Sequence, residues 1–209
     1  MRKKKSEILN IIKEEIISNY KSYILVIILF SVGLFLGVLF INQTENQENV
    51  IKYINTYIDE IKMLKSNNTI VQLKSDIKSN IFLVFILWFA GTTIVGIPIV
   101  FGIIIARGFC LGYTISAIIT ILGLPKGIAF VLLSLVLQDI ILIPAIIAIA
   151  VSGFKLYKSI VKNRDRENIK IEILRHTIFS LIMLVLLCIS AIVETFISTN
   201  LLKNFLKYF

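Results

Sequence analysis

Residues 22–41 read SYILVIILFSVGLFLGVLFI, a stretch without a charged side chain that is long enough to cross a bilayer as a helix. Further apolar blocks follow at residues 81–106, 108–122, 127–151 and 177–202. The chain of 209 residues is 57% hydrophobic and has a mean hydropathy of +0.89, which is more than a water-soluble domain carries. The sequence therefore predicts an all-α, polytopic membrane protein: one domain, a bundle of about five transmembrane helices.

The block at 108–122 is shorter than the roughly 17 to 25 residues of an ordinary span. It is either a tilted helix that borrows flanking residues or a re-entrant segment. We interpret it as a full span, because a re-entrant segment would move the basic loop at 152–176 to the other side of the membrane. That placement would violate the rule that cytoplasmic loops retain Lys and Arg.

Basic residues predict the orientation of the bundle. Six precede Tyr23 and seven lie between Lys155 and Arg175, whereas segment 42–80 balances five lysines against five acids. The positive-inside rule then places residues 1–21 and the loop 152–176 in the cytoplasm, and segment 42–80 and the carboxyl terminus outside. Because the net charge of +9 is concentrated beside apolar blocks, its expected partners are anionic lipid headgroups rather than nucleic acid.

Two segments outside the spans have helical apolar periodicity. Ser6 to Tyr20 predicts an amino-terminal helix lying on the membrane surface. The other is an amphipathic helix of the external segment, whose apolar face consists of Val50, Ile54, Ile58, Ile61 and Leu64. This face either packs on its own bundle and the headgroups or binds a partner protein, and the sequence leaves both readings open.

The search for catalytic chemistry is mostly negative. The single histidine excludes an HExxH zinc site, and neither a GxSxG nucleophile elbow nor a GxxxxGK[ST] phosphate loop occurs. His176, at the predicted mouth of the last span, is interpreted as an interfacial residue. We therefore expect no enzymatic activity, no cofactor and no bound metal.

Four polar residues within or between the later spans form a candidate intramembrane site: Arg107, Gln138, Asp139 and Glu194. An ionised Asp at the centre of a span costs about 2.5 to 3.5 kcal/mol on insertion scales, so each acid must face protein or water, be paired, or be protonated. In one interpretation Arg107 reaches cytoplasmic headgroups and each acid is neutral and hydrogen-bonded. In the other, the acids line a polar cleft for a substrate or partner.

Small residues predict close helix packing. Gly33 and Gly37 form a GxxxG pattern in the first span, and Gly108 and Gly112 form another in the third. Without side chains, glycines let two helix backbones approach closely. We expect intramolecular packing at these positions, and a homo-oligomer is the alternative.

Three sequence stretches, together with the basic amino terminus and the long segment after the first span, resemble the stage II sporulation protein M (SpoIIM) family. They are RGFCLGYT at 107–114, QDIILIPA at 138–145 and AIVETFIS at 191–198. Many members carry His-Gly-x-x-Glu-x-Pro-Ala in the fourth span. This chain keeps only Pro144-Ala145 of that pattern and has Leu142 in place of the Glu, so no role of that acid is transferred.

The resemblance implies a scaffold in the septal, mother-cell membrane of an endospore-forming bacterium. Such a scaffold recruits and anchors a peptidoglycan-degrading complex for engulfment of the forespore. Its implied partners are SpoIID, a lytic transglycosylase, and SpoIIP, an amidase and endopeptidase. A transporter or channel subunit that uses the intramembrane carboxylates is the rival hypothesis.

Overall fold

The computed structural model describes residues 19–41, 51–52, 54–56, 59, 66–162 and 166–206. It is built from helices, and no strand occurs in these ranges, which confirms the predicted all-α class. The elements are α1 Tyr20–Ile41, α2 Ser66–Gly91, α3 Ile97–Leu122, α4 Leu124–Val131, π1 Leu132–Val136, α5 Leu137–Lys162, α6 Arg166–Ile192, π2 Val193–Ser198 and α7 Thr199–Leu206.

Several of these elements continue into one another. The helix α4–π1–α5 runs without interruption, as does α6–π2–α7, and π1 and π2 are single widened stretches within them. Helices suit this composition because in lipid every backbone N–H and C=O must find its partner within the chain. Between α3 and α4, Gly123 takes a φ of 77°, a left-handed value that glycine adopts without strain, and Pro125 then starts α4.

Four helices in the described residues are long and apolar enough to cross a membrane: Tyr20–Ile41, Ile97–Leu122, Leu124–Val161 and Ile169–Leu202. The protein is therefore a multi-pass membrane protein. Helix α2 belongs to the same bundle but falls outside this set, because Lys74, Asp76 and Lys78 occupy its middle. Only its carboxyl-terminal half, from about Asn80, is apolar.

The structure divides the predicted blocks at 81–106 and 108–122 differently. The chain turns at residues 92–96, and α3 passes through Arg107 as one 26-residue helix. The predicted boundary at Arg107 is wrong because arginine is a good helix former, whereas Gly96 and Pro98 favour a turn and a helix start. Block 108–122 is thus the second half of a helix of spanning length.

The ends of the later blocks also move. Helix α5 continues to Lys162 and α6 begins at Arg166, so most of the predicted loop at 152–176 is helical. Lysine and arginine are compatible with a helix, and their charge marks where a helix leaves the membrane rather than where it ends. Residues 1–18, with most of the predicted surface helix, lie outside the described residues.

Side-chain contacts fix the direction of the helices. Asn80 Nδ2 donates to the Leu187 carbonyl at 3.0 Å and Trp88 Nε1 donates to Thr177 Oγ1 at 3.0 Å, so α2 runs antiparallel to α6. Helix α5 also runs antiparallel to α6, because Ser190 Oγ donates to the Gln138 carbonyl at 3.1 Å and His176 lies against Ser152. Consecutive long helices therefore alternate in direction.

The bundle has two chemically different ends. At the first, Lys158 Nζ donates to Ser22 Oγ at 3.0 Å, which brings the start of α1 beside the end of α5. We call this the basic end, since in the sequence both predicted cytoplasmic basic clusters are next to the helix ends that lie here. At the opposite, distal end, Ile41, Ile118 and Leu202 share an apolar cluster. Between the two ends, a larger apolar core contains Leu87, Ile104, Ile146 and Leu187.

Candidate functional site

The predicted polar residues lie on three helices near the middle of the bundle. Gln138 and Asp139 occupy the first turn of α5, Glu194 lies in π2, and Arg107 lies in the middle of α3. Asp139 interacts electrostatically with Arg107 and with Glu194. All three side chains are partly buried. The structure therefore brings Arg107, Asp139 and Glu194 into one charge cluster, and the backbone carbonyl of Gln138 accepts the bond from Ser190.

A further acid joins this cluster from α2. Asp76 interacts electrostatically with Glu194, and Thr195 Oγ1 donates to Asp76 Oδ2 at 3.5 Å. Burial raises the pKa of the Asp76 carboxyl above its ordinary value, and the Thr195 hydrogen bond partly offsets this effect. Sequence reasoning missed Asp76 because it counted this residue among the balanced charges of the external segment. A signal that could have found it is the helical spacing of Ile70, Leu73 and Ile77, which connects this segment to the apolar block that begins at residue 81.

The two π-helical segments lie beside the cluster: Glu194 belongs to π2, and Asp139 follows shortly after π1. They contact each other, and π2 also contacts α2 and α5. Thr199 Oγ1 donates to the Glu194 carbonyl at 3.2 Å and so helps to satisfy the widened turn. The hydroxyls of Ser134 in π1 and Ser198 in π2 are buried without a hydrogen-bond partner. Such π-bulges occur frequently at functional sites. No pattern in the sequence marks these segments.

The arrangement has clear chemical limits. If fully ionised, the cluster would hold three carboxylates, from Asp76, Asp139 and Glu194, beside the single guanidinium of Arg107. In a medium of low dielectric such an excess of like charge is unfavourable, so protons or a cationic group would be held here. Within the described ranges, no three metal-binding side chains converge on one point.

Comparison with protein-family models matched the family described as Stage II sporulation protein M over residues 26–199. The matched region includes the whole charge cluster and the candidate spans, except for the first residues of the first span and the final residues of the last span. This chain belongs to the SpoIIM family. The resemblance inferred from the three sequence stretches is confirmed, and the protein is a sporulation-related membrane protein. Comparisons with curated proteins and with solved structures gave no match.

In this SpoIIM-family chain, the four predicted glycines meet at one interface between α1 and α3. A Cβ atom at Gly33 or Gly37 would collide with the carbonyl oxygens of Ile105 and Phe109, respectively. A Cβ at Gly108 or Gly112 would collide in the same way with carbonyls of α1. The two helices run parallel here and form the most extensive contact between elements. These glycine faces are therefore occupied within the chain.

His176 packs inside the bundle. Its side chain is fully buried, and Nδ1 lies 3.0 Å from Ser152 Oγ. Helices α2 and α5 approach each other closely at two glycines, since a Cβ at Gly153 would lie 3.0 Å from the Gly91 Cα. The imidazole lies against this point, because a Cβ at Gly91 would be 2.8 Å from Nε2. The glycine pair leaves a space that the imidazole fills, so the ring packs between helices.

Of the predicted partner-binding face, the structure describes Ile54. This residue is 7% exposed and packs in the distal cluster with Ile41, Phe130 and Leu202. Val50, Ile58, Ile61 and Leu64 lie outside the described residues. At Ile54, the segment between α1 and α2 is thus anchored on the distal end of the bundle.

Proposed function

We propose that this protein is a membrane scaffold of the sporulation septum that recruits and anchors a peptidoglycan-degrading complex for forespore engulfment. The proposed partners are SpoIID and SpoIIP. The observation that carries the proposal is the SpoIIM family match over residues 26–199. In this role the protein contributes binding and confinement to one membrane, and its partners supply all the hydrolytic chemistry.

The distribution of charge supports different roles for the two ends of the bundle. The positive-inside rule assigns the basic end to the cytoplasm, which places the amino terminus inside and the distal end toward the septal wall. Helix α1 ends at Ile41, and Ile54 of the segment that follows packs in the same apolar cluster at the distal end. Since Ile54 packs there, partners could bind this segment at a defined position above the membrane. A connector of this length exceeds what joining two helices requires.

Co-purification in the native host tests the scaffold directly. The detergent-solubilised protein should retain SpoIID and SpoIIP, and scrambling the face Val50, Ile54, Ile58, Ile61 and Leu64 should release them if this face is the binding surface. The matched control permutes only the intervening residues and leaves those five in place. Retention of both partners by the scrambled variant would remove this face from the mechanism, while leaving a scaffold that binds through other surfaces.

A deletion strain tests the cellular role. Loss of the protein should block engulfment and leave SpoIIP unretained at the septum, and re-expression of the wild-type chain should restore both. Normal engulfment in the deletion strain would contradict the proposal. Because septal retention is scored separately from engulfment, a failure of recruitment can be distinguished from a later failure of wall degradation.

A transporter or channel subunit is a second candidate, favoured by the charge cluster of Asp76, Arg107, Asp139 and Glu194. Intramembrane ionisable residues often line substrate or proton pathways. In this case Asp139→Asn and Glu194→Gln would alter solute or ion flux in reconstituted vesicles, with Asp59→Asn as a control at an exposed acid. Unchanged flux, together with full protein level and normal engulfment in both variants, would exclude a role for the carboxylates.

A further inference from the structure

A groove runs between α2 and α6 on the outer surface of the bundle. Toward the basic end, the hydrogen bond from Trp88 Nε1 to Thr177 Oγ1 joins the two helices. Toward the distal end, the bond from Asn80 Nδ2 to the Leu187 carbonyl joins them again. Between these two bonds the helices leave a groove of about 300 Å³. Its lining consists of Ile81, Val84, Phe85, Trp88, Thr177, Ser180, Leu181 and Leu184.

The shape of the groove suits a thin occupant. Val84 and Ser180 form its floor and are 5% and 2% exposed, whereas Phe85 and Leu181 form its rims and are 56% and 58% exposed. A helix with its side chains is about 10 to 12 Å across, and the axes of packed helices lie about 8 to 10 Å apart. A third helix would therefore rest on the rims. A chain of methylene groups is thin enough to reach the floor.

The chemistry of the lining suits hydrocarbon. Except for Thr177 and Ser180, the lining residues are apolar or aromatic. The Thr177 hydroxyl accepts the bond from Trp88 and donates to the Ile173 carbonyl at 2.9 Å, so it is already paired within the protein. The Ser180 hydroxyl has no hydrogen-bond partner, and a rotation toward the carbonyl four residues earlier would satisfy it within α6. The groove therefore offers space and apolar contact rather than a set of polar ligands.

A lysine stands in line with the groove at the basic end. Lys170 is exposed and precedes Thr177 by seven residues, so both lie on one face of α6. Because His176 lies against Ser152 in an antiparallel pair of helices, Lys170 is level with Lys158 at the basic end. The groove thus begins below a positive charge that lies at the level where the bundle becomes basic.

The distance from this lysine to the far part of the groove matches one leaflet. From Lys170 to Leu184, α6 rises by about 21 Å. Half of a bilayer, including its headgroups, is about 20 to 22 Å thick. One phospholipid of the leaflet at the basic end therefore has the length to join the ammonium group to the far part of the groove.

We propose that a phospholipid of this leaflet binds along α6, with its phosphate at Lys170 and one acyl chain in the groove between α2 and α6. Opposite charges attract the phosphate to the ammonium group. The chain exchanges contacts with other lipids for closer contacts with the groove, and these dispersion contacts hold it there. This binding site goes beyond the scaffold role and does not depend on it.

Quenching of tryptophan fluorescence tests the proposal. Trp88 is the single tryptophan of the chain and lines the groove, so its emission reports on the occupant. The purified full chain in detergent is titrated with phosphatidylglycerol that carries bromine on its acyl chains, because bromine quenches tryptophan on contact. We expect quenching that saturates and that an excess of unbrominated phosphatidylglycerol reverses.

Two pairs of variants separate the two contacts. Ser180→Leu fills the floor of the groove and should remove most of the quenching, whereas Ser180→Ala leaves the groove open and should retain it. Lys170→Gln should weaken the apparent affinity for phosphatidylglycerol about fivefold, the effect expected of one basic residue near an anionic headgroup. Lys21→Gln, at an exposed position of the same end, should leave the affinity unchanged.

Three results would overturn the proposal. Quenching that does not saturate, or equal quenching in Ser180→Leu and Ser180→Ala, would mean that lipid chains touch Trp88 without occupying the groove. Equal affinities in Lys170→Gln and Lys21→Gln would remove the phosphate contact. Monodisperse elution before the titration confirms that each variant is folded, and the pair of lysine variants keeps the test decisive if Ser180→Leu does not fold.

Discussion

At the scale of single residues, the cost of charge in a medium of low dielectric explains why the polar side chains converge. Arg107 and Asp139 come from different helices and interact electrostatically, while Glu194 adds a further carboxylate. A charge that loses its counter-charge in such surroundings destabilises the fold more than the loss of the pair does. The pair is therefore best tested through its coupling energy.

Arg107→Gln should lower stability, and Asp139→Asn in the same chain should restore part of it, because the double variant no longer holds the Asp139 carboxylate without its counter-charge. We expect a coupling of about 0.5 to 3 kcal/mol, the range for residues that interact within one network of charges. Unfolding temperatures of both single variants and the double variant in one detergent give the measurement. Additive losses would show that the two side chains do not interact.

The raised pKa of Asp76 predicts that the stability of the protein depends on pH. Burial raises the pKa of this carboxyl in the folded state, so the folded protein binds the proton more tightly than the unfolded chain does. The resulting stabilisation is fully present below the ordinary pKa of 3.8 and is lost as the pH rises through the raised value. Asp76→Asn, which resembles the protonated form, should flatten this part of the stability profile. Asp59→Asn, at an exposed position, should not, and an unchanged profile in Asp76→Asn would contradict the prediction.

At the scale of elements, glycine decides which helices are neighbours. Helices α1 and α3 approach closely because their glycines have only a hydrogen atom where any other residue has a Cβ. The approach of α2 and α5 at Gly91 and Gly153 is of the same kind, and His176 completes it. Close approach at these points is a property of pairs of helices, since a single helix contains only half of each contact.

Two glycines of α3 provide a matched comparison. A Cβ at Gly108 would collide with the Phe30 carbonyl, whereas a Cβ at Gly102 would meet nothing within 4 Å. Gly108→Ala should therefore cost about 1 to 3 kcal/mol, the usual range for overpacking. Gly102→Ala should be neutral, or stabilising by up to about 1 kcal/mol from helix propensity. Thermal unfolding in detergent measures both. Equal effects would mean that α1 and α3 do not pack through Gly108.

At the scale of the whole molecule, alternating helix directions place the start of α1 and the α5–α6 connection at the basic end, and the end of α7 at the distal end. If the basic end faces the cytoplasm, the carboxyl terminus lies outside. A topology reporter fused after Phe209 should then give an extracytoplasmic signal. The same reporter inserted at residue 164, between α5 and α6, should give a cytoplasmic one. Matching signals at the two sites would contradict the alternating arrangement.

Much of this architecture could be predicted locally. The partition of side chains between lipid and water depends on each segment alone, so hydropathy was enough to indicate an all-α membrane protein. It was also enough to single out Arg107, Asp139 and Glu194 as costly residues that needed partners. The glycine patterns were visible for the same reason, since spacing along one helix determines which residues share a face.

Only the tertiary structure decided which helices supply the partners. It recruited Asp76 from α2, buried His176 between two glycines, formed the π-segments, and moved the turn from Arg107 to residues 92–96. Each of these depends on the shape and charge of a neighbouring helix that is distant in the chain. In lipid, hydrophobicity drives helices into the membrane but does not determine which helices become neighbours. Close packing and the pairing of buried polar groups determine that.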